Sequence, residues 1–485
     1  MTTAIKYNDI EFTDEQTKVC ETVLALSHKE IIITGPAGSG KSLITSYIVN
    51  KLIDEDYEVE VISPTHKAGK IMRAYLNEGR GLLDEEIHTT TVSKYLGQQP
   101  TITAEGKQLF ITNRFLQNTL SEKILIVDEI SMLDDKDIKD IRKTLTGNCH
   151  VIYLGDAFQL PPIKSKDGEA PIFKLGIPTL NLTVVKRTTK TDLGMACTCI
   201  RAKKRTWFAA QFGWGKFAQW ASEQPNVFLY SNKDTFKAAL LDKVKDADLE
   251  LNRDEVRVLS YTNKVADSYN TFLREEYQGV KSTVWEPGDY LIALKPFQRT
   301  FIKDGKKIKG ILLNNNDEFK LLNKISDEVY TVSSYKDYPV RYETWLAQTE
   351  EGDPIEVNLL PFAEKERANY DYILEDLSKI AKAAQKNKHL SAKHKAAAKK
   401  AWTQFYKFQE NFDQSKLSFS LTIHKSQGSS IDHVFLDIDF EVCNLEFAVK
   451  NIKRALLYTA VSRARQSLHI FISAAHLGPK AHYTL

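Results

Sequence analysis

Short β-rich apolar runs alternate with amphipathic segments between residues 30 and 156. Four of these runs are nearly continuous, which is typical of strands buried on both faces of a parallel sheet. They occupy residues 31–33, 59–62, 124–127 and 151–154. Residues 43–52 and 67–76 carry helical periodicity. The pattern therefore predicts repeated strand–helix units and a parallel α/β sheet.

A second set of similar runs predicts a second α/β core further along the chain. These runs occupy residues 226–230, 256–260, 434–438 and 468–472. The long gap between the middle two predicts an inserted domain, and turn signals at residues 285–340 favour a small β-barrel there. Residues 363–412 are helical in composition. Within them, residues 378–400 hold eight lysines and no acidic residue, which predicts either a nucleic-acid surface or a solvated helix face.

The bulk composition narrows the class of protein. A chain of 485 residues has room for roughly two to four domains. Its 42% of apolar and 27% of charged residues are usual for a globular protein. Lys and Arg number 66 against 63 for Asp and Glu, and a net charge of +3 is too small to indicate a nucleic-acid partner. Any basic binding surface must therefore be local.

Targeting and cysteine patterns add two expectations. No run approaches the ~20 apolar residues of a membrane helix, and the first residues do not read as a signal peptide, so we expect a cytoplasmic protein without a membrane partner. Five cysteines are few and scattered, which argues against a disulfide framework and against a four-ligand zinc site. Cys197 and Cys199 form the one close spacing, and idle or buried thiols are the simpler interpretation.

An eight-residue segment between the first apolar run and the first predicted helix fits the phosphate-binding loop pattern. It consists of Gly35, Pro36, Ala37, Gly38, Ser39, Gly40, Lys41 and Ser42. Glycines let backbone N–H groups curl around phosphate oxygens, and the helix N-terminus adds positive potential. Lys41 can then contact the β- and γ-phosphates, and Ser42 can bind Mg²⁺. The loop alone predicts a hydrolase of ATP or GTP.

Two later strand ends add polar side chains to the predicted site. Asp128 and Glu129 directly follow the apolar run at residues 124–127, at the sheet edge where α/β folds bind ligands. Asp128 can hold Mg²⁺, and Glu129 can polarise the attacking water. Gln159 follows the next run and can form a hydrogen bond with the γ-phosphate, although an ordinary strand-end turn would look similar.

The order of these motifs resembles that of the superfamily 1 helicases, most closely the phage Dda and bacterial RecD type. The matching segments follow in the same order between about Phe12 and Arg465 and cover both predicted cores. The remaining segments of the match are FTDEQ at 12–16, SPTHKA at 63–68, residues 88–93, LTVVKR at 182–187, YTNK at 261–264, LTIHKSQGSS at 421–430 and LYTAVSRAR at 457–465. The last two are the most telling, because a fortuitous match to both after a phosphate-binding loop is improbable.

The resemblance implies an α/β architecture of two RecA-like parallel-sheet cores. Residues 1–86 and 122–180 would form the first core, and residues 181–280 and 416–485 the second. Residues 87–121 would form a β-hairpin, called the pin, that is inserted into the first core. Residues 281–415 would form an SH3-like β-barrel with a Lys-rich helical extension. In this type of helicase, the pin separates the strands of the duplex.

The resemblance also implies roles at the nucleotide. Gln16 would read adenine, and Gly428 would lie against the nucleotide. Arg187 and Arg463 would reach across the cleft between the cores and contact the γ-phosphate, as arginine fingers do when negative charge develops there. ATP would thus draw the two cores together, and hydrolysis would release them.

Nucleic-acid contacts are implied at a further set of residues. They are Pro64, Thr65, His66, Lys67, Thr91, Phe110, Asn263, Thr422 and His424. Hydroxyl and backbone N–H groups suit phosphate oxygens without reading sequence, but capping or turn roles stay open for these positions. Phe110 lies on the predicted pin arm at residues 108–112, where it would stack on a base. The alternative for this phenylalanine is a place in a core.

The implied function is an ATP-dependent DNA helicase that moves 5′ to 3′ on single strands, with ATP and Mg²⁺ as cofactors. Single-stranded DNA and forked duplex DNA would be its partners, with single-strand-binding, replication or recombination proteins as further candidates. A monomer is expected, and the resemblance to Dda hints at a phage source. An RNA helicase or remodeller of the same superfamily and a non-motor nucleotide switch are the alternatives. Stimulation of ATP hydrolysis by DNA, by RNA or by neither separates the three.

Overall fold

A computed structural model describes residues 5–78, 89–102, 108–112, 120–121, 123–162, 165, 169–185, 193, 223–250, 252–281, 283–303, 306–385, 392–438 and 450–473. The chain divides into two compact units. The first unit is formed by Met1–Gly97, Thr112–Ala266 and Ser420–Leu485, and the second by Gln98–Ile111 and Asp267–Phe419. The two segments that make up the second unit therefore form a compact body of their own.

The helices in the described part of the chain fall in both units. In chain order they are α1 (Asp14–Leu24), α2 (Lys41–Asp54), α3 (His66–Glu78), α4 (Val92–Tyr95), α5 (Asp135–Thr144), α6 (Lys233–Asp246), α7 (Asn263–Glu276), α8 (Ala368–Gln385), α9 (Ala392–Gln409) and α10 (Lys450–Val461). Short 3₁₀ turns lie at Ile130–Met132, Pro171–Lys174 and Glu364–Arg367. Helix α1 begins with a capping box, in which the Thr13 and Gln16 side chains each accept a hydrogen bond from the other's backbone N–H.

The strands of the described ranges form several sheets. In chain order they are β1 (Lys6–Tyr7), β2 (Ile10–Glu11), β3 (Glu30–Thr34), β4 (Glu58–Ser63), β5 (Thr89–Thr91), β6 (Gln98–Ile102), β7 (Gln108–Thr112), β8 (Leu120–Ser121), β9 (Lys123–Val127), β10 (Leu145–Thr146), β11 (His150–Gly155), β12 (Thr179–Asn181), β13 (Val227–Tyr230), β14 (Val256–Ser260), β15 (Tyr290–Ala293), β16 (Phe297–Lys303), β17 (Lys306–Leu313), β18 (Glu318–Tyr330), β19 (Val340–Thr349), β20 (Pro354–Leu359), β21 (Ser415–Leu417), β22 (Ser420–Thr422), β23 (Ile431–Asp437) and β24 (Ala464–Phe471).

A six-stranded parallel sheet forms the first core, with the strand order β12-β3-β11-β9-β4-β5. Ile31 and Ile33 of β3 pack into one apolar cluster, and Ile32 between them packs into another. Successive side chains of a strand point to opposite faces, so both faces of this sheet are covered. That explains the continuous apolar runs, and the predicted parallel α/β core is confirmed.

A five-stranded parallel sheet forms the second core, with the order β13-β24-β23-β14-β22. Strands β23 and β24 begin at Ile431 and Ala464, a few residues before the apolar runs predict. Their first residues join the ladder, since Ile431 pairs with Ala464. Backbone pairing therefore extends each strand beyond its most apolar residues. The second α/β core is also confirmed.

The first core continues past residue 180, where the sequence analysis places its boundary. Strand β12 pairs with β3 in parallel, and the N–H of Leu182 donates to the carbonyl of Thr34 at 2.8 Å. Thr183 then donates from its N–H to the Glu15 carboxylate at 2.8 Å. The peptide up to this point is thus held by the first sheet and by helix α1.

The second unit contains a five-stranded antiparallel sheet with the order β20-β19-β18-β15-β21, and a two-stranded sheet of β16 and β17. Its core includes Trp285, Phe319 and Trp345. The buried guanidinium of Arg274 donates to both carboxylate oxygens of Asp289, at 2.8 and 2.9 Å. This bidentate pair ties α7 to the turn before β15. A β-rich body is present where a barrel was expected, and its SH3-like character stays a prediction.

Helices α8 and α9 pack on each other beside this sheet within the second unit. The base of the pair is apolar and aromatic: the Tyr370 ring stacks on Phe408 at 5.4 Å, and Phe412 meets both rings edge-on. Strands β6 and β7 form a two-stranded sheet of their own in the same unit. Strand β7 coincides with the predicted pin arm.

No helix in the described part of the chain is both long enough and apolar enough to span a lipid bilayer.

Candidate nucleotide site and core interface

The phosphate-binding loop joins β3 to α2. Gly38 and Gly40 have φ values of 81° and 85°, a region that other residues rarely adopt. Gly40 also has no room for a side chain, because an added Cβ would lie 2.5 Å from Nε2 of Gln16. The tight curl of the loop therefore requires glycine for both its torsion angles and its close packing. It leads directly into the N-terminus of α2.

Lys41 is the first residue of α2, and its ammonium group lies across the loop. Nζ donates to the carbonyl oxygens of Gly35 at 2.8 Å and Pro36 at 2.9 Å. The side chain is therefore held at the loop, where it can exchange these neutral acceptors for phosphate oxygens. Ser42 follows as the second residue of the helix.

Two carboxylates follow β9 at the carboxyl edge of the first sheet. Oδ1 of Asp128 accepts from the N–H of Glu129 at 2.8 Å. Glu129 has a φ of 49°, in the left-handed region; such strained positions cluster at functional sites. Burial and the neighbouring Glu129 carboxylate raise the pKa of Asp128 to about 7. A bound cation would favour the ionised form of Asp128.

The turn after β11 brings Gln159 to the same place. Gln159 is only 5% exposed, and its Oε1 has no hydrogen-bond partner among the described residues. Asp156 at the start of the turn is fully buried and accepts from the N–H of Phe158 at 3.1 Å. A buried acceptor without a partner costs about 1–3 kcal/mol, so Oε1 of Gln159 is suited to accept a hydrogen bond from a water or from a donor group of a ligand.

These elements line one cavity of about 380 Å³. Residues of both cores contribute to its wall. They are Ile10, Gln16, Ala37, Gly38, Gly40, Lys41, Ser42, Leu43, Ala68, Ile71, Tyr75, Asp128, Glu129, Gln159, Gly428 and Arg463. Most of the residues that the sequence predicts for nucleotide and metal binding are thus brought together by the fold.

Arg463 is the charged contribution of the second core to this cavity. It is 3% exposed, and its guanidinium donates to the carbonyls of Thr459 and Ser429, both at 3.0 Å, and to the Ser462 hydroxyl at 3.1 Å. These acceptors are neutral, and no carboxylate pairs with Arg463 in the described part of the chain. A buried charge without a counter-ion is costly, which suits a site that receives an anion.

The second core also forms hydrogen bonds with the turn that carries Gln159. Leu160 donates from its N–H to the Thr459 hydroxyl at 3.2 Å, and its carbonyl accepts from Nε2 of Gln427 at 3.1 Å. The buried Tyr458 hydroxyl donates to the Asp156 carboxylate and accepts from the N–H of Ala37 at 3.2 Å. One tyrosine of the second core therefore links the phosphate-binding loop to the Gln159 turn.

The donor set fits a hard divalent cation that accompanies a nucleotide. Ser42 and Asp128 both line the cavity, and hydroxyl and carboxylate oxygens are the ligands that Mg²⁺ prefers, together with water and substrate phosphates. Among the described residues, no cluster of three or more metal-binding side chains exists. A cation at this site would be held by Ser42 and Asp128 together with water and substrate oxygens.

Gln16 lies at the cavity with its amide already engaged. Its Oε1 accepts from the N–H of Thr13 at 3.0 Å, and its Nε2 donates to the carbonyl of Ser39 at 2.9 Å. The side chain thus caps α1 and braces the phosphate-binding loop. Its reading of adenine stays a prediction, and it would use the second amide hydrogen.

Equivalent turns open α3 in the first core and α7 in the second. The Ser63 hydroxyl donates to the Thr65 carbonyl at 2.8 Å, and the Ser260 hydroxyl donates to the Thr262 carbonyl at 3.1 Å. Each threonine hydroxyl then accepts from the backbone N–H three residues on, at 3.3 Å for Thr65 and 3.4 Å for Thr262. The hydroxyls therefore act as helix caps.

Lys67 forms an ion pair between the two cores. Its ammonium lies 2.9 Å from Oδ2 of Asp254, and the other oxygen of this carboxylate, Oδ1, accepts from Arg257 at 3.0 Å. Burial raises the pKa of Asp254, but the positive charges of Lys67 and Arg257 lower it further, so the pKa lies below its ordinary value. Lys67 was predicted to bind nucleic acid, and in this structure its ammonium group pairs with a carboxylate of the second core.

The other predicted nucleic-acid residues have varied surroundings. The Thr91 hydroxyl accepts from the N–H of Lys94 at 3.2 Å and caps α4. His424 lies near the Tyr261 ring, and burial lowers the pKa of its imidazole. Pro64 and His66 are half-buried at the start of α3, Thr422 is buried at the end of β22, and Asn263 is exposed at the start of α7.

Two predicted residues cannot be placed. Arg187 lies outside the described residues, and so does the side chain of Phe110, although its backbone belongs to β7. In contrast, the roles of Asp156, Tyr458, Thr459 and Gln427 were missed. Tyr458, Thr459 and Gln427 lie inside motifs that were recognised, and Asp156 lies three residues before Gln159. Their partners are in the other core, which no local pattern indicates.

Comparison with known proteins gives consistent matches. The family described as "AAA domain" matches residues 11–214, and the family described as "UvrD-like helicase C-terminal domain" matches residues 417–471. The ATP-dependent DNA helicase dda of Enterobacteria phage T4 is 26% identical over 447 residues, which cover 90% of this chain and 92% of that protein. The RecBCD enzyme subunit RecD of Buchnera aphidicola is 24% identical over 477 residues, covering 93% of this chain and 71% of that protein.

A solved structure shares the fold. The Pif1 helicase from Bacteroides, solved in complex with ADP-AlF3 and single-stranded DNA, aligns with a TM-score of 0.50 and 17% identity. The alignment covers 97% of this chain and 95% of that chain. The alignment therefore extends over nearly the whole length of both chains.

Proposed function

Because this chain belongs to the superfamily 1 helicases, we propose that it is an ATP-dependent DNA helicase that moves 5′ to 3′ on single-stranded DNA and separates duplex strands. The observation that carries the proposal is the cavity shared by the two cores. The first core supplies the phosphate-binding loop and the acidic strand end, and the second supplies Arg463. A nucleotide at this interface would control how the cores are held together.

The first core provides the groups for hydrolysis of ATP. Backbone N–H groups of the loop and the N-terminus of α2 bind the phosphates, and Lys41 neutralises the β- and γ-phosphate oxygens. Mg²⁺, held by Ser42, Asp128 and the phosphates, would supply further neutralisation of the transferred group. Glu129 then orients and polarises the attacking water, and Gln159 donates its amide N–H to the γ-phosphate.

The second core adds an arginine to the site and responds to the presence of the γ-phosphate. Arg463 leaves its neutral carbonyl acceptors for the γ-phosphate, whose negative charge it stabilises during transfer. Arg187 is proposed for the same role by resemblance. Loss of the γ-phosphate moves Gln159, and with it the turn that Tyr458, Thr459 and Gln427 hold. A change at the phosphate is thereby transmitted to the second core.

The paired turns of the two cores are proposed to bind the DNA backbone. Since the hydroxyls of Thr65 and Thr262 cap their own helices, the positive N-terminal ends of α3 and α7 are proposed as the groups that attract phosphate. Contacts of this kind do not read sequence. Opening and closing of the cores would then move the strand stepwise from one turn to the other.

The sheet of β6 and β7 is proposed as the pin that splits the duplex, with Phe110 as its base-stacking residue. Helix α9 supports this assignment, because its Cα atoms come within 8 Å of those of β6. The helical extension is thus positioned to brace the strand pair. We also propose that the protein acts in DNA replication or recombination. It would act there as a monomer in the cytoplasm.

A DNA duplex that carries one single-stranded tail, either 5′ or 3′, tests activity, polarity and substrate together. We expect unwinding of a substrate with a 5′ tail and at least about tenfold slower unwinding of one with a 3′ tail, because translocation has one direction. The measurement is release of a labelled strand with ATP present. Unwinding from the 3′ tail alone would reverse the polarity, and ATP hydrolysis stimulated by RNA but not DNA would assign the RNA alternative.

Tyr458→Phe tests the link between the cores. The ring packing stays, but the hydroxyl contacts with Asp156 and Ala37 are lost, so we expect the DNA-stimulated kcat to fall about tenfold with little change in KM for ATP. The control is Tyr230→Phe, which removes a hydroxyl contact with His469 in the same core. Equal effects of both variants on kcat would mean that Tyr458 only stabilises the fold.

A further inference from the structure

Helix α9 presents a lysine surface without any negative charge. Its 18 residues include five lysines and no acidic residue. Lys395, Lys399 and Lys400 are exposed. The whole chain has 66 basic and 63 acidic residues, a net charge of +3, so the five lysines of this helix alone carry more positive charge than the net charge of the chain.

The lysines do not fit an ordinary solvated helix face. Such faces usually mix signs, and four-residue spacing of opposite charges adds about 0.2–0.5 kcal/mol of stability. Helix α8 shows this arrangement, since Lys379 lies 2.8 Å from Glu375 one turn away. In α9 the same spacing joins Lys395 to Lys399, and two like charges destabilise a helix by a similar amount. An external anion would remove that repulsion.

The helix is held firmly enough to act as a rigid surface. Ala398 and Trp402 are buried, and Phe408 lies in the aromatic cluster that includes Tyr370 and Phe412. An 18-residue helix is about 27 Å long. Its exposed lysines therefore form a fixed row of charges, which suits a stiff polyanion.

The aromatic residues of α9 indicate which polyanion fits. Sites for single-stranded nucleic acid combine basic residues with exposed aromatic rings that stack on bases. In α9, Trp402 and Phe408 are buried, and Phe405 and Tyr406 are only partly exposed. The lysine surface thus offers charge without a stacking platform. Double-stranded DNA, with one negative charge per ~1.7 Å of its axis, needs only charge.

Helix α9 approaches β6, one of the two strands proposed as the pin. A duplex that is split at the pin must arrive beside it. The row of lysines therefore lies next to the place where double-stranded DNA enters.

We propose that the exposed lysines of α9 bind the phosphates of the duplex arm of a forked substrate. The inference rests on the proposed helicase function, and it assigns the duplex-binding surface of that helicase. These contacts would hold the duplex against the pin without touching the strand on which the cores move. They would contribute to binding of forks and not to binding of single strands.

The test is a triple variant, Lys395→Gln, Lys399→Gln and Lys400→Gln, because glutamine keeps the helix propensity of lysine. Binding of the full-length protein to a fork is measured between 50 and 200 mM salt. We expect the slope of log Kd against log salt to fall by about 2 to 3, since each phosphate contact contributes about 0.9. Binding to the single-stranded tail alone should change less than twofold.

The control carries the same change of charge elsewhere in the second unit, as Lys281→Gln, Lys336→Gln and Lys365→Gln, at exposed positions outside α9. Its slope for the fork should fall by less than 1. An equal loss of fork and single-strand binding would overturn the proposal, and so would an unchanged slope. ATP hydrolysis stimulated by single strands is measured in parallel. Its absence from the parent protein would instead contradict the helicase function.

Discussion

Lys41→Ala is expected to lower ATP turnover by about 1000-fold or more, while binding of single-stranded DNA stays within about twofold. The ammonium of Lys41 already lies at the loop, where it donates to the Gly35 and Pro36 carbonyls. Without it, charge on the β- and γ-phosphates is left without the main cation of the first core. The measurement is steady-state release of phosphate with saturating single-stranded DNA.

A matched control for this change is Lys51→Ala. Lys51 belongs to the same helix, is exposed, and forms a long ion pair with Asp54 at 3.9 Å. Exposed pairs of this kind contribute about 0–1 kcal/mol, so turnover should remain that of the parent. If Lys41→Ala and the parent protein hydrolysed ATP at the same rate, the cavity would not be the hydrolytic site.

Arg463→Ala should lower kcat for ATP by about 10³- to 10⁵-fold, which is the usual contribution of an arginine finger. The KM for ATP should change much less, because the guanidinium acts on charge that develops during transfer. Arg463→Lys keeps a positive charge but loses the planar, branched donor set. We expect it to recover only a small part of the rate.

Arg463 also donates to three neutral oxygens in the second core, so its loss must be separated from simple misfolding. Thermal unfolding of each variant provides that separation. Arg465→Ala is the control, since Arg465 lies two residues on, is exposed, and pairs with Asp432 at 2.7 Å. A stable Arg463→Ala variant that hydrolyses ATP at the rate of the Arg465→Ala control would exclude the finger role.

The hydrolytic half of the site was accessible from the sequence because its signals are contiguous. The glycines of the loop, Lys41 and Ser42 follow one another, and Asp128 and Glu129 follow an apolar strand. Parallel strands bring their carboxyl ends to one edge of a sheet, so periodicity and motif order are enough to bring these groups together. The same reasoning predicted both parallel cores.

Several residues that were predicted to contact nucleic acid have side-chain partners within the protein. Thr65 and Thr91 were candidates for DNA contacts with helix capping as the alternative, and their hydroxyls cap α3 and α4; a DNA contact at these positions stays a prediction. Lys67 was expected to face nucleic acid and pairs with Asp254. Each is a short polar side chain near a helix start or a lysine near a cleft, and for such residues a local pattern cannot distinguish an internal partner from an external one.

The sequence by itself determined which residues surround a phosphate and which strands build the two cores, because those features depend on short-range order and on periodicity. Only the tertiary structure decided how the cores communicate. Tyr458 is 302 residues from Asp156 and 421 residues from Ala37 along the chain, and its hydroxyl contacts both. A hydrogen bond between distant segments requires that both sheets be folded and apposed, so the coupling of the site to the second core is a property of the fold.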